Sequence, residues 1–162
     1  MTNSNQQYSN VLPVGKFCFL YIITLGLYQI PWCHKQWKFL KEKDDLNINP
    51  WVHAWLFAFT IYSLAKKVFH LAEKEGYPNR PSAGGITALY WFFIVLSNLF
   101  FLFAFLSLIP LVSILKAVNY YWEQEEGGRL MIREGFTGGQ VAWIVFGVLF
   151  WLLFLIGLFS QA

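Results

Sequence analysis

Three histidines and two cysteines are the residues of this 162-residue chain best suited to metal chemistry. Cys33 and His34 are adjacent, and His53 stands inside an apolar stretch, where a polar side chain is costly and marks a functional candidate. A thiolate and two imidazoles could together bind a metal such as zinc. The spacing argues the other way, because the sequence holds no HxxxH, CxxC or HExxH. His53 also follows Pro50 closely, which places it at headgroup depth rather than in hydrocarbon. The sequence therefore assigns no catalytic residue, no metal and no cofactor, and leaves Cys33, His34 and His53 as metal candidates alone.

Lysines beside apolar runs suggest a second chemistry. Lys35, Lys38, Lys66 and Lys67 suit the phosphate of a lipid headgroup, with Trp32, Trp37 and Trp51 forming an aromatic collar at the same boundary. Acidic groups point away from proton coupling: Asp44, Asp45, Glu73, Glu75 and the cluster Glu123 to Glu126 all lie outside the apolar runs. Pumps and channels place an ionisable group at membrane depth, so a pore here would have to be lined by Thr60, Ser63, Ser97 and Asn98. No GxSxG nucleophile elbow and no phosphate-binding GK[ST] loop occurs.

The elements that must position these residues follow from composition. The chain is 57% hydrophobic, 20% aromatic and 13% charged, against about 25% charged in an ordinary soluble domain. Mean hydropathy is +0.45. Ile86 to Leu115 is 30 residues without a charge, and Gly135 to Ala162 is another 28. Such runs read as membrane segments. With only Arg80, Arg129 and Arg133 as arginines, no basic stripe for nucleic acid exists, and the net charge of +3 is read as loop charge that orients the chain. Cys18 and Cys33 are expected to be free thiols.

The expected fold is all-α: an integral membrane helical bundle of about four segments, 14–33, 51–72, 86–115 and 139–160, forming one domain over 11–162 after a disordered polar tail, 1–10. Asn49-Pro50 should start a helix and Thr137 should cap another. From Leu64 onward the pattern is amphipathic, with Leu64, Val68, Leu71 and Ala72 on one side. Residues 51–65 are short for a crossing and 86–115 long for one. If the first re-enters and the second is a hairpin, eleven of the twelve Lys and Arg residues share one face, as the positive-inside rule favours. This places 34–50 and 116–137 in the cytoplasm and both termini outside.

Thr24-Leu25-Gly26-Leu27-Tyr28, Trp32, Lys35-Gln36-Trp37, Asn49-Pro50-Trp51, Ile61-Tyr62-Ser63-Leu64 and Lys116-Ala117-Val118-Asn119 resemble blocks of a family of small bacterial multi-pass inner-membrane proteins of unknown function. The resemblance covers roughly residues 12–75 and 105–120. It implies a bacterial inner-membrane location and marks Gly26, Tyr28, Tyr62 and Ser63 as family-motif positions, without assigning any of them a role.

Abundant aromatic surface without catalytic motifs leads to the expectation of a non-enzymatic accessory or scaffold subunit, or a self-assembling oligomer. Its partners would be membrane lipids and either further copies of itself or an unlike membrane subunit. A small-solute transporter or pore, and a lipid-acting enzyme, are the alternatives.

Overall fold

The computed structural model describes residues 8–79 and 81–159 and is helical throughout, with no strand among the described residues. Seven α-helices form: α1 (Val14–Ile23), α2 (Gln29–Asp44), α3 (Pro50–Trp55), α4 (Phe57–Lys74), α5 (Ala83–Leu96), α6 (Leu108–Glu126) and α7 (Gly138–Phe159). A 3₁₀ segment, Phe101–Ser107, leads into α6. Two stretches, Phe101–Glu126 and Gly138–Gly157, are long and apolar enough to cross a membrane.

The first apolar run is not one continuous helix. Leu25 and Gly26 take φ of 53° and 85°. The Gly26 N–H donates to the Tyr21 carbonyl at 2.7 Å and the Leu25 N–H to that of Ile22 at 3.1 Å, the paired bonds of a Schellman stop. Thr24 Oγ1 donates to the Leu20 carbonyl at 2.7 Å and accepts from the Tyr28 N–H at 2.9 Å. The chain then reverses, so that Phe17 in α1 meets Trp32 in α2 with ring centroids 5.0 Å apart. Segment 14–33 is thus a helical hairpin, and its second arm continues to Asp44 through what reads as a charged connection.

Asn49 caps α3 as its sequence implies: its side chain accepts from the Trp51 N–H at 3.0 Å, and Pro50 occupies the first turn. A sharp bend at Leu56 separates α3 from α4, and Thr60 Oγ1 closes it on the His53 carbonyl at 2.8 Å. In α4 the buried residues Ile61, Leu64, Ala65, Val68, Leu71 and Ala72 follow the 3.6-residue period of an amphipathic helix. The 86–115 run is a hairpin: α5 ends at Leu96, the chain turns, and α6 returns antiparallel. The core lies between α1, α2, α4 and α6, with Phe17, Leu40, Leu64, Leu111 and Ile114 fully enclosed.

Contacts align the ends of these elements. Lys67 meets Asp44 at 3.1 Å, the Tyr120 hydroxyl donates to the Glu75 carbonyl, and Lys43 Nζ donates to the Tyr121 hydroxyl at 2.7 Å. The connections 45–49, 75–79 and 127–137 therefore gather at one end, and all contain charged residues. The turns at 24–28, at 56 and over 97–107 contain no charge, and Leu99, Phe100, Phe101 and Leu102 are exposed. Side chains in these uncharged turns bond to nearby carbonyls: Ser97 Oγ and Asn98 Nδ2 both donate to that of Ile94, and Ser107 Oγ to that of Ala104.

Helix α7 stands apart. A reciprocal capping box starts it, with the Thr137 N–H donating to Gln140 Oε1 at 3.0 Å and the Gln140 N–H to Thr137 Oγ1 at 3.2 Å. The helix runs parallel to α1 and crosses close to its end at Gly147, where a Cβ would overlap the Ile23 carbonyl. Beyond that point its flank is bare, with Leu153 70% and Ile156 64% exposed.

Candidate functional site

The N-terminal residues build one wall of a cleft at the charged end. Of the tail expected to be disordered, residues 1–7 lie outside the described residues, whereas 8–10 are held. The Ser9 N–H donates to the Met131 carbonyl at 3.1 Å. Glu126 accepts from the Ser9 hydroxyl, from the Asn10 N–H at 2.8 Å and from the Asn10 amide at 3.2 Å. Asn119 then pairs with both backbone groups of Leu12: its Oδ1 accepts from the N–H at 3.0 Å and its Nδ2 donates to the carbonyl at 2.7 Å. These bonds place residues 8–13 on the same face as 34–50 and 116–137. The N-terminus is expected from the sequence to lie opposite those segments; residues 8–13 lie beside 119–131, and residues 1–7 lie outside the described residues.

Beneath this strap is a cleft of about 290 Å³ walled by α1, α2, α6 and the start of α7. Three cations converge on it: Lys16 from α1, Lys35 from α2 and Arg133 from the connection before α7. Lys16 Nζ donates to the carbonyls of Arg133 and Gly135 at 2.6 and 3.0 Å. The Arg133 guanidinium lies 4.1 Å from the centre of the Tyr8 ring. Lys35 makes no hydrogen bond or ion pair among the described residues. No carboxylate lines the cleft, the nearest acids being Glu126, already occupied by the strap, and Glu134. Crowding by protein lowers the Lys35 pKa, with Glu126 pulling upward. Burial and then repulsion from Arg133 lower that of Lys16, against a weaker pull from Glu134. Lys35 is nonetheless solvent-exposed and Lys16 half-buried, and each feels one nearby carboxylate, Glu126 and Glu134 respectively.

Polar groups complete the wall. Tyr28 accepts from Gln140 Nε2 at 3.1 Å and keeps its own hydroxyl proton to donate. The Trp32 indole N–H is buried without an acceptor among the described residues. Next to the cleft, across the same α2–α7 seam, an apolar groove of about 380 Å³ is lined by Leu27, Ile30, Trp55, Ala142, Trp143 and Phe146.

The sequence candidates divide between this cleft and other places. Lys35, Trp32 and Tyr28 meet in the cleft, while Lys38 is exposed on α2 near Glu42 at 4.0 Å. Tyr62, Ser63, Lys66 and Lys67 share a shallow groove between α4 and the start of α5, and Lys67 there is paired to Asp44. Gly26 forms the α1–α2 turn described above. Cys33 is buried and Cys18 half-buried, both as free thiols. His34 stacks on Trp51 with centroids 3.9 Å apart, and His53 packs on Trp37 at 4.7 Å while its Nδ1 lies 3.0 Å from the Asn49 carbonyl. Cys33, His34 and His53 therefore do not converge, and no cluster of three metal-ligating side chains occurs among the described residues.

Of the residues proposed as pore lining, Thr60, Ser97 and Asn98 cap backbone carbonyls instead. Two Ser-x-x-Lys spacings, Ser63 with Lys66 and Ser113 with Lys116, were open to sequence reading as nucleophile pairs. Neither pair is hydrogen-bonded: Ser113 donates to the Ile109 carbonyl, and Ser63 and Lys66 are exposed without a bond between them. Lys16, Arg133, Asn119 and Gln140 are the site residues that sequence reasoning missed. Their only sequence signals were the lone cation before the first apolar run and Asn119 in the last family-like block. No protein-family model, curated protein or solved structure matches the chain.

Proposed function

We propose that the chain is a non-enzymatic membrane protein of the bacterial inner membrane, acting as an accessory or scaffold subunit or assembling with itself. In this reading α7 crosses the bilayer, and α1 to α6 enter as hairpins from the cytoplasmic face and return to it. The segregation of charge supports the arrangement. The connections at one end are charged, while the turns at the other are uncharged and several carbonyls beside them are capped by turn side chains. Irregular backbone is tolerated at membrane depth when its polar groups are satisfied in this way. The resemblance to the inner-membrane family points to the same location.

The observation that carries the role is the flank of α7. Only 6% of the apolar window of Gly138–Gly157 is buried, and the helix packs mainly on α1 over its first half. Lipid can cover such a surface, but Trp143, Phe146, Trp151 and Phe154 also offer aromatic knobs to another helix. Extraction in mild detergent, followed by determination of the mass and composition of the particle, tests the role. A stoichiometric unlike subunit or a closed homo-oligomer is expected. A particle containing one copy of the chain and lipid alone would overturn it.

A further inference from the structure

We propose that the cleft beneath the N-terminal strap binds an anionic phosphate group, that of a phospholipid whose acyl chain lies in the adjoining apolar groove. The phosphate site itself rests on the cleft, and its lipid source rests on the membrane reading above. Three observations converge.

The first is an excess of positive charge. Lys16, Lys35 and Arg133 come from segments far apart in sequence and meet around a space that no carboxylate lines. Glu126 accepts three bonds from Ser9 and Asn10 and keeps its charge, so with Glu134 two carboxylates stand near the three cations and one positive charge is left in excess. An anion entering the cleft would find an unpaired ammonium at Lys35, the guanidinium of Arg133 and the Tyr28 hydroxyl proton. Cationic N–H groups are the strong donors for phosphate oxygens.

The second is size and construction. A volume of about 290 Å³ is at the small end of ligand pockets, about 300–1,000 Å³. It suits a phosphodiester with part of its glycerol better than a large soluble ligand. Two of the walls are fixed by side-chain bonds: the Asn119 pairing with Leu12, and the Gln140 bridge from the α7 cap to Tyr28.

The third is position. The cleft uses Tyr28, Pro31 and Gln140, and the apolar groove uses Leu27, Ile30, Ala142 and Trp143. The polar lining is followed, one to three residues along the chain at both places, by the apolar one, which Trp55 of α3 completes. A molecule with a phosphate joined to a hydrocarbon chain matches that succession, whereas free phosphate uses the cleft alone.

The test uses the full chain in nanodiscs of phosphatidylcholine with or without phosphatidylglycerol, with bound lipid counted by native mass spectrometry after release into detergent. Retention of phosphatidylglycerol is expected, reduced about tenfold or more in Lys35→Ala/Arg133→Ala. It should be unchanged in Lys38→Ala and largely restored when Lys35 is replaced by Arg instead. Lys16 is left intact because it ties α1 to residues 133–135. An unchanged melting midpoint in detergent shows that the double variant is folded. Calorimetric titration with inorganic phosphate forms the second arm. Binding of phosphate that is lost in the double variant, without lipid retention, would support the phosphate site and overturn the lipid source. Equal retention of both lipids by wild type and variant, with no phosphate binding, would overturn the site. Alkaline carbonate extraction is run in parallel. Release of the chain without detergent would sink the membrane reading while leaving the phosphate titration to decide the cleft.

Discussion

Two stretches of this molecule, Phe101–Glu126 and Gly138–Gly157, have the same mean hydropathy, yet 39% of the apolar window is buried in the first and 6% in the second. The first, containing α6, is a core element: Pro110, Leu111, Ile114, Leu115, Ala117 and Val118 face α1, α4 and α5. It also carries Asn119, Tyr121 and Glu126, which tie the N-terminal strap and the end of α2. The second, α7, keeps one close approach, at Gly147, and otherwise presents Val, Leu, Ile and Phe outward. Hydropathy measures what a segment will tolerate around it. Whether protein or lipid supplies those surroundings is decided by the polar groups at the segment's ends and by small residues that let backbones meet.

The sharpest way to break the comparison is topological, because its outcome is all-or-none. In a background lacking Cys18 and Cys33, Glu123→Cys should be blocked only by thiol reagents that reach the cytoplasm. Asn98→Cys, in the turn between α5 and α6, should resist an impermeant reagent from either side. Labelling of position 98 from outside the cell would mean that α6 crosses as α7 does.

Packing should separate the two helices next. Ile114→Ala opens a void in the enclosed core and is expected to cost about 2–5 kcal/mol, read as a drop in melting midpoint in detergent. Leu153→Ala, on the bare flank of α7, should leave that midpoint nearly unchanged. Equal losses would show that α7 has a covered face.

The single close approach of α7 gives a smaller effect. Gly147→Leu forces a side chain into the Ile23 carbonyl and should cost about 1–3 kcal/mol, as overpacking does elsewhere, while leaving α2 to α6 in place. The same readout with a leucine at Gly157, where a Cβ meets nothing within 4 Å, is the control. Gly26→Ala should cost least, about 1–2 kcal/mol, from a left-handed φ of 85° that a Cβ disfavours and from crowding against the Tyr21 ring at 3.1 Å. No loss there would mean that the α1–α2 turn is not the conformational stop described.

Much of the frame was legible in the sequence, for local reasons. The Thr137 cap, the Asn49-Pro50 start and the amphipathic stripe of α4 are all set by residues within a few positions of one another. The α1–α2 reversal was half legible. Gly26 is visible as a turn residue, but a leucine in the left-handed region at position 25 gives no compositional sign, and the run around it has the length of a crossing. The cleft was least legible. Lys16 meets Arg133, and Leu12 meets Asn119, across more than 100 residues. Periodicity reports which residues share a helix face and is silent on which distant segments meet. The backbone bonds of Thr60, Ser97 and Asn98 were not legible for a related reason: a hydroxyl or amide in an apolar run can serve its own backbone as readily as a solute.

The strap also orders events during synthesis. Residues 8–13 leave the ribosome well before the groups that hold them, because Asn119, Glu126 and Met131 are made more than 100 residues later. Until then the strap has no partner, and the floor of the cleft can form from α1 and α2 without its roof. Closure of the cleft thus reports that α6 has arrived, and a chain stopped short of residue 119 would carry its paired arms but no anion site.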